Sequence, residues 1–190
     1  MRAWSLRRSS DHTMEQIKAD RSIRDRIGGG VERMKSIASS RRGFVNELNF
    51  TYQRLRRLLP ALIRRLDADE LIGTLRSQNE EDVRIHERLV EVVSAHGEAP
   101  QPCLCEEANA VVEEVYHADR MTAHSDKHDD AILRALRSTR LFLIQLWAKL
   151  LDTISPDTLP EYRKEVRRLQ HREGEMHRTL VRLEQRMNKE

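Results

Sequence analysis

Two pairs of acidic and histidine residues have the types and the spacing that could bind a metal ion. Asp82 lies four residues before His86, and Glu173 lies four residues before His177. This spacing places both side chains of a pair on one face of an α-helix, so that a carboxylate and an imidazole can chelate one cation. Two carboxylates and two imidazoles suit Zn²⁺, Mn²⁺ or Fe²⁺. The pattern predicts a site for a single divalent ion if the two helices face each other.

The segments that carry these pairs are predicted to be amphipathic helices. Around the first pair, spacings of three and four residues define one stripe, which consists of Ile72, Leu75, Asn79, Asp82, His86, Leu89 and Val93. The ends of this stripe are aliphatic and its middle is polar. A similar stripe runs from Val166 to Met187, with Glu173 near its middle. The two stripes predict a helical bundle with a polar layer in its core.

The rest of the composition favours an all-α protein. Helix-forming and charged residues dominate, and the chain has only 7 Gly and 5 Pro. Apolar stripes predict two more long helices, at about 44–66 and 130–154, and a helix at 106–121 has the length of a crossover. We therefore expect an antiparallel four-helix bundle with a short crossover helix over residues 44–187.

Residues 1–42 are predicted to form a basic, partly helical N-terminal arm. They carry 11 Lys/Arg and 5 Asp/Glu, a net +6, whereas the rest carries 23 and 26, a net −3. The polar residues Ser39 to Gly43 are expected to break the chain before the bundle. Such an arm could bind nucleic acid or an acidic partner, or remain solvated without one. The outer face of the first long helix is also rich in arginine, but base-stacking aromatic residues are missing there, so the support for nucleic acid is weak.

Membrane spans and the cysteine pair bear on location. No apolar run approaches the roughly 18 residues that span a bilayer, so no membrane partner is expected. Cys103 and Cys105 are separated by one residue, which is too close for an ordinary disulfide framework. A reducing, cytoplasmic setting is the simplest interpretation.

Three further histidines follow the predicted crossover helix. His117, His124 and His128 would share a face only on an unbroken helix. Because a helix break is expected between His124 and Lys127, we predict solvent-exposed histidines near a loop rather than metal ligands.

The third long helix is apolar on almost all sides. Within Leu141–Leu151, only Gln145 and Lys149 interrupt the apolar run. A helix of this kind is buried on more than one side, and a bundle of four or five helices leaves part of it uncovered. We expect a homodimer in which part of this run is buried between subunits.

Three segments, taken in order, resemble a known family. Leu55–Pro60 ends in Leu-Pro, Cys105–Glu114 is a Cys-led helix that ends in paired glutamates, and Asp130–Trp147 begins with Asp-Ala and has an aromatic residue near its end. This arrangement resembles the YciE/YciF-type branch of the ferritin-like superfamily, which consists of bacterial stress-associated proteins. The resemblance covers about 44–187 and implies a ferritin-like fold and a role in stress.

The resemblance also implies a degenerate di-iron site. Ferritin-like di-iron proteins take carboxylates from all four long helices and a histidine from two of them. Here the first helix offers Tyr52, and the third offers Arg140 and Leu143, at the corresponding positions. Two cations need bridging carboxylates, and an arginine adds charge of the wrong sign. We therefore expect neither oxidase nor ferroxidase activity, no catalytic residues and no resident cofactor, with a single Zn, Mn or Fe ion as the alternative.

The leading hypothesis is a non-catalytic, dimeric, stress-associated bundle with a structural polar layer. Arg140 would then neutralise Asp82 and Glu173. One alternative is a mononuclear metal site at the two acid–histidine pairs, and another is a nucleic-acid-associated or adaptor protein that acts through its basic arm. The direction in which Arg140 points separates the first two hypotheses.

Overall fold

The described part of the chain consists of helices joined by short connections. The computed structural model describes residues 37–103, 105–123, 125 and 127–188. The helices are α1 (37–63), α2 (Asp69–Ala95), α3 (Glu106–Thr122), α4 (His128–Asp152) and α5 (Pro160–Met187). These residues contain no β-strand, and the predicted all-α class is confirmed. No helix among them is long and apolar enough to cross a bilayer.

Local sequence explains where α2 ends and where α5 begins. Gly97 follows α2 with a φ of 74°, a left-handed conformation that glycine adopts without strain. The turn allows the N–H of Glu98 to donate a 3.0 Å hydrogen bond to the carbonyl of Val93, which satisfies one of the last carbonyls of the helix. Pro160 is the first residue of α5, where the missing proline N–H removes no helical hydrogen bond.

Polar contacts show that neighbouring long helices run antiparallel. Arg88 of α2 pairs with Glu165 near the start of α5, whereas Gln78, earlier in α2, donates to the carbonyl of Met176, later in α5. Helices α4 and α5 run antiparallel as well, because Arg137, early in α4, pairs with Glu184, late in α5, and Arg140, later in α4, pairs with Glu173, earlier in α5. Helix α3 packs against α4 and connects the second long helix to the third. The predicted antiparallel four-helix bundle with a short crossover helix is thus confirmed.

Apolar side chains from every helix fill the core. Leu48, Leu89, Val112, Leu146 and Leu180, one from each helix, are fully buried. Burying one aliphatic side chain of this size contributes roughly 1.5–3 kcal/mol. Much of the apolar run 141–151 also lies inside the bundle, and its buried members are Leu143, Leu146, Trp147, Leu150 and Leu151.

The break predicted at Ser39–Gly43 is wrong, because these residues lie within α1. The side chain of Arg41 donates from Nε at 2.6 Å to Oε1 of Glu98, and its guanidinium lies 5.9 Å from the centre of the Tyr162 ring. These contacts come from residues distant in sequence, which local composition does not reveal. At its other end, α1 stops at residue 63 rather than at 66, and a turn follows at residues 64–65.

The basic arm falls almost entirely on residues 1–36, which lie outside the described residues. Arg41–Glu190 forms one compact unit that contains the crossover helix and the bundle contacts described above. The predicted division into an arm at 1–42 and a bundle at 44–187 stays a prediction.

The predicted exposure of the three histidines is wrong for His128. Its side chain is buried, and its Nε2 lies 3.2 Å from Oδ1 of Asp119, which is also buried. Its Nδ1 lies 3.6 Å from Oδ1 of Asp129, whose other oxygen accepts a 2.6 Å hydrogen bond from the N–H of Ala68. The carboxylate of α3 thus gives this imidazole a partner that keeps it inside. His117 is exposed, as predicted, and His124 lies outside the described residues.

The interpretation of the cysteine spacing, as too close for an ordinary disulfide framework, did not predict a bond between the two cysteines themselves. Cys103 and Cys105 form a disulfide in the connection between α2 and α3, with their Cα atoms 5.5 Å apart. This separation lies within the range that a disulfide can bridge. The spacing of the two cysteines therefore does not indicate a reducing compartment.

Candidate functional site

The centre of the bundle contains an arginine that joins two helices through their carboxylates. The side chain of Arg140 is only 1% exposed. Its Nη1 and Nη2 donate to the two carboxylate oxygens of Asp82, at 2.5 Å and 2.8 Å, and Nη1 also donates at 3.2 Å to Oε1 of Glu173. The bidentate bond uses the planar shape of the guanidinium, which fixes both its position and its orientation. Arg140 therefore points into the polar layer.

Further hydrogen bonds extend this contact to α1 and along α4. The hydroxyl of Tyr52 donates at 2.6 Å to Oε2 of Glu173 and accepts at 3.0 Å from Nε1 of Trp147. On the other side, Nε of Arg140 donates at 3.3 Å to Oε1 of Gln78. We call the connected set the Arg140 layer, and it consists of Tyr52, Gln78, Asp82, Arg140, Trp147 and Glu173. Every one of these side chains is buried.

Burial and charge oppose each other in the Arg140 layer. Burial raises the pKa of Glu173 to about 7, although Arg140 and the hydroxyl of Tyr52 favour its charged form. Burial also raises the pKa of Asp82, and Arg140 offsets part of that effect. For Arg140, burial alone would lower the pKa, but the carboxylates of Asp82 and Glu173 more than reverse this and keep the guanidinium charged. One fixed cation thus serves two buried carboxyl groups.

The histidine of the first pair turns away from its carboxylate. Nε2 of His86 lies 2.8 Å from Oδ1 of Asn49, so Nε2 donates, and Nδ1 is left to accept from Nη1 of Arg56 at 3.2 Å. Burial, followed by the charge of Arg56, lowers the pKa of His86. This imidazole is therefore neutral at pH 7, and both of its nitrogens are used by α1.

The histidine of the second pair lies at the edge of the bundle. His177 is half-buried, and burial followed by the charges of Arg137 and Arg178 lowers its pKa. Within the described ranges, no group of three or more His, Cys, Asp or Glu side chains is arranged to hold a metal ion. The structure thus brings Asp82 and Glu173 together on Arg140 and directs His86 elsewhere. A metal-binding role for the two pairs stays a prediction.

Several members of the site were not predicted from the sequence. Gln78 lies four residues before Asp82, on the same face of α2, and this spacing could have identified it. Trp147 lies two turns after Arg140 on α4, where it was assigned only to the apolar run. Asn49, the partner of His86, belongs to another helix and has no pattern of its own.

The chemistry available to the Arg140 layer is limited by how its polar atoms are used. Both oxygens of Asp82 and both oxygens of Glu173 accept hydrogen bonds from within the layer. A surface groove between α2 and α5 includes one member of the layer, the buried Gln78, and is otherwise lined by residues outside the layer, among them Glu81, Arg84 and Glu175. Asp82 and Glu173 do not line the groove, so a substrate in it would meet the amide of Gln78 rather than these two carboxylates.

Comparison with known proteins supports a fold of this class. No family model and no curated protein sequence matches the chain. Two solved structures do match it, and their likeness confirms the predicted resemblance at the level of the fold. One is the stress protein YciF of E. coli, with a TM-score of 0.72 at 18% identity over 81% of this chain and 98% of that chain.

The second structure is YcfI of Rhodopseudomonas palustris, for which a structural role has been suggested. Its TM-score is 0.68 at 18% identity, over 78% of this chain and 92% of that chain. The described bundle therefore has the ferritin-like fold that the sequence predicted.

Proposed function

We propose that this chain is a non-catalytic, YciF-like bundle protein, stress-associated and dimeric, whose Arg140 layer is structural and replaces a di-iron site. The observation that carries the proposal is the bidentate contact of Arg140 with Asp82, together with its bond to Glu173. A guanidinium at this point supplies the positive charge that a metal ion would supply to the same carboxylates. A second cation beside it would meet electrostatic repulsion.

The descriptions of the two matching structures support the proposed role. YciF is described as a stress protein, and the suggested role of YcfI is structural. We also propose a cytoplasmic location, and the match to the bacterial stress protein YciF is compatible with this location. The alternative role in nucleic-acid binding or as an adaptor depends on the basic arm, and it stays a prediction.

Thermal unfolding with and without metal tests the structural role of the layer. A ligand that binds only the folded state raises the melting temperature in proportion to the logarithm of its concentration. For the full-length protein, we expect the same melting temperature in a chelator and in excess Zn²⁺, Mn²⁺ or Fe²⁺. A clear rise with one of these ions that disappears in Asp82→Asn would overturn the proposal and favour the mononuclear metal site.

The proposed homodimer is supported by what remains uncovered on α4. Leu141 is 47% exposed, and Ile144 and Ala148, on the same face of the helix, are half-buried. Sedimentation at micromolar concentration should give a dimer that Leu141→Lys converts to a monomer. Met121→Lys, at a 70% exposed position on α3, is the matched control and should leave the dimer intact. A monomeric wild-type protein, or dissociation by both variants, would contradict the proposal.

A further inference from the structure

The disulfide between Cys103 and Cys105 lies where it constrains the chain least. Its two cysteines are separated by one residue, and they are the only cysteines of the chain. A structural disulfide stabilises mainly by restricting the unfolded chain, and this effect grows with the length of the loop that it closes. A disulfide between cysteines that are separated by one residue closes a very short loop. Stabilisation of the fold is therefore a weak reason for its presence.

Other contacts already hold the connection in which the disulfide lies. The side chain of Arg41 binds Glu98 at the start of the connection. Farther on, the backbone N–H of Gln101 donates at 2.8 Å to Oδ1 of Asn46. Both contacts attach the connection to α1 without using sulfur. Both cysteines are half-buried rather than fully enclosed.

The two sulfur atoms have different surroundings. Cys105 is the N-cap residue of α3, and its carbonyl accepts a 2.8 Å hydrogen bond from the N–H of Asn109. Among the described residues, Cys105 makes no side-chain capping hydrogen bond, and the first N–H groups of a helix have no acceptor within the helix itself. A thiolate at Cys105 would be stabilised there by the partial positive charge of the helix end, although Glu106 and Glu107 in the first turn reduce the effect. Cys103 lies in the connection before this helix end.

We propose that Cys103–Cys105 is a thiol–disulfide exchange site that takes up two electrons from a small dithiol. A thiolate of the dithiol attacks Sγ of Cys103, the disulfide breaks, and its electron pair leaves on Sγ of Cys105. The second sulfur of the dithiol, as a thiolate, then attacks the first sulfur of the same dithiol in the mixed disulfide and releases Cys103 as a thiolate. The dithiol becomes a cyclic disulfide, its two protons pass through solvent to the two cysteines, and the cycle reverses with an oxidised reagent.

A redox titration of the folded protein tests the exchange. Full-length protein is equilibrated in mixtures of reduced and oxidised dithiothreitol, quenched with acid and labelled with a maleimide mass tag. We expect both cysteines to gain tags together over one reversible transition, while the helical circular dichroism and the melting temperature stay unchanged. The Cys103→Ser/Cys105→Ser double variant is the control and should carry no tag.

Three outcomes would overturn the proposal. The first is a disulfide that resists the dithiol until the protein unfolds, and the second is a large fall in melting temperature on reduction, which would indicate a structural bond. The third is a pair of thiols that cannot be oxidised by the disulfide form of the reagent.

Single-cysteine variants test which sulfur is the leaving group. Cys103→Ser retains only Cys105, and Cys105→Ser retains only Cys103. In reaction with glutathione disulfide at pH 6, we expect Cys105 to react up to about two-fold faster, because the helix N-terminus raises its thiolate fraction while the lower pKa of the thiol reduces its nucleophilicity. Equal rates, or a faster Cys103, would overturn the assignment of Cys105 as the leaving group.

Discussion

The two acid–histidine pairs have the same spacing and end in different environments. In both pairs the carboxylate is fully buried and bonded to Arg140. The histidines differ, because His86 is buried against Asn49 of α1, whereas His177 is half-buried near Arg137 and Arg178. Spacing places a side chain on a face of its own helix, but the neighbouring helices decide what that side chain binds. The two pairs therefore share a buried carboxylate that Arg140 neutralises, but their histidines have different surroundings.

The contact of Arg140 with the two carboxylates, which both pairs share, predicts the largest effect on stability. Arg140→Met should destabilise the protein by about 3–5 kcal/mol, because it leaves buried carboxylates without their cation. Arg137→Met is the matched control one turn earlier on α4, where the partly exposed arginine pairs with Glu184. That variant should cost about 1 kcal/mol or less. Urea unfolding measures both, and similar losses in the two variants would show that the buried contact has no special role.

The pKa of Glu173 predicts a dependence of stability on pH. Its folded pKa of about 7 lies above the ordinary glutamate pKa of 4.5, so between these pH values the folded state binds more protons than the unfolded state. The contribution of Glu173 to stability is therefore fully present below pH 4.5 and is lost as the pH rises to 7. We expect Glu173→Gln to gain stability relative to the wild type between pH 5 and pH 7.5, by an amount on the order of a few kcal/mol.

The histidines act on stability in the opposite direction. The pKa of His86 is lowered on folding from 6.5, so its contribution is present above pH 6.5 and is lost as the pH falls. The Glu173→Gln comparison is therefore made as a difference from the wild type at each pH, which cancels the histidine contribution. A difference that does not change between pH 5 and pH 7.5 would contradict the assignment to Glu173.

The two histidines, which have different surroundings, predict a smaller effect on stability. His86→Ala should cost about 1–3 kcal/mol, because Asn49 and Arg56 lose a buried hydrogen-bonding partner. His177→Ala should change stability by about 0.5 kcal/mol or less, since its ring is half exposed. Unfolding of the two variants at pH 7.5 measures the difference, and equal losses would mean that the two histidines are equivalent after all.

Periodicity was sufficient to predict the four long helices and the crossover helix, but not the extent of α1 or every residue of the buried face of α2. The inward direction of Arg140 was one of two stated possibilities, and the charges of Asp82 and Glu173 made it the favoured one. The sequence did not reveal contacts between residues distant in the chain. Helix α1 continues through Ser39–Gly43, and Arg41 within this stretch binds Glu98, 57 residues away. Pairs of this kind have no periodic signal, and only the packed helices bring them together.

The partner of His128 shows the same limit on a shorter scale. Asp119 lies nine residues away in sequence, on a different helix, so that the spacing of the histidines alone favoured exposure. Gln78 and Trp147 of the Arg140 layer show the same limit. Gln78 lies beside the predicted stripe of α2 and Trp147 lies in the apolar run of α4, and neither position indicates a hydrogen-bonding partner on another helix.

The number of metal ions bound per chain tests most directly the claim that Arg140 takes the place of a metal. Wild-type protein, Arg140→Ala and Arg140→Ala/Asp82→Asn are dialysed against Zn²⁺, Mn²⁺ and Fe²⁺ and then analysed for metal. We predict no stoichiometric ion in the wild type and one ion in Arg140→Ala, which the additional Asp82→Asn change abolishes. One or two ions in the wild type, lost when Asp82 or Glu173 is replaced by its amide, would contradict the account.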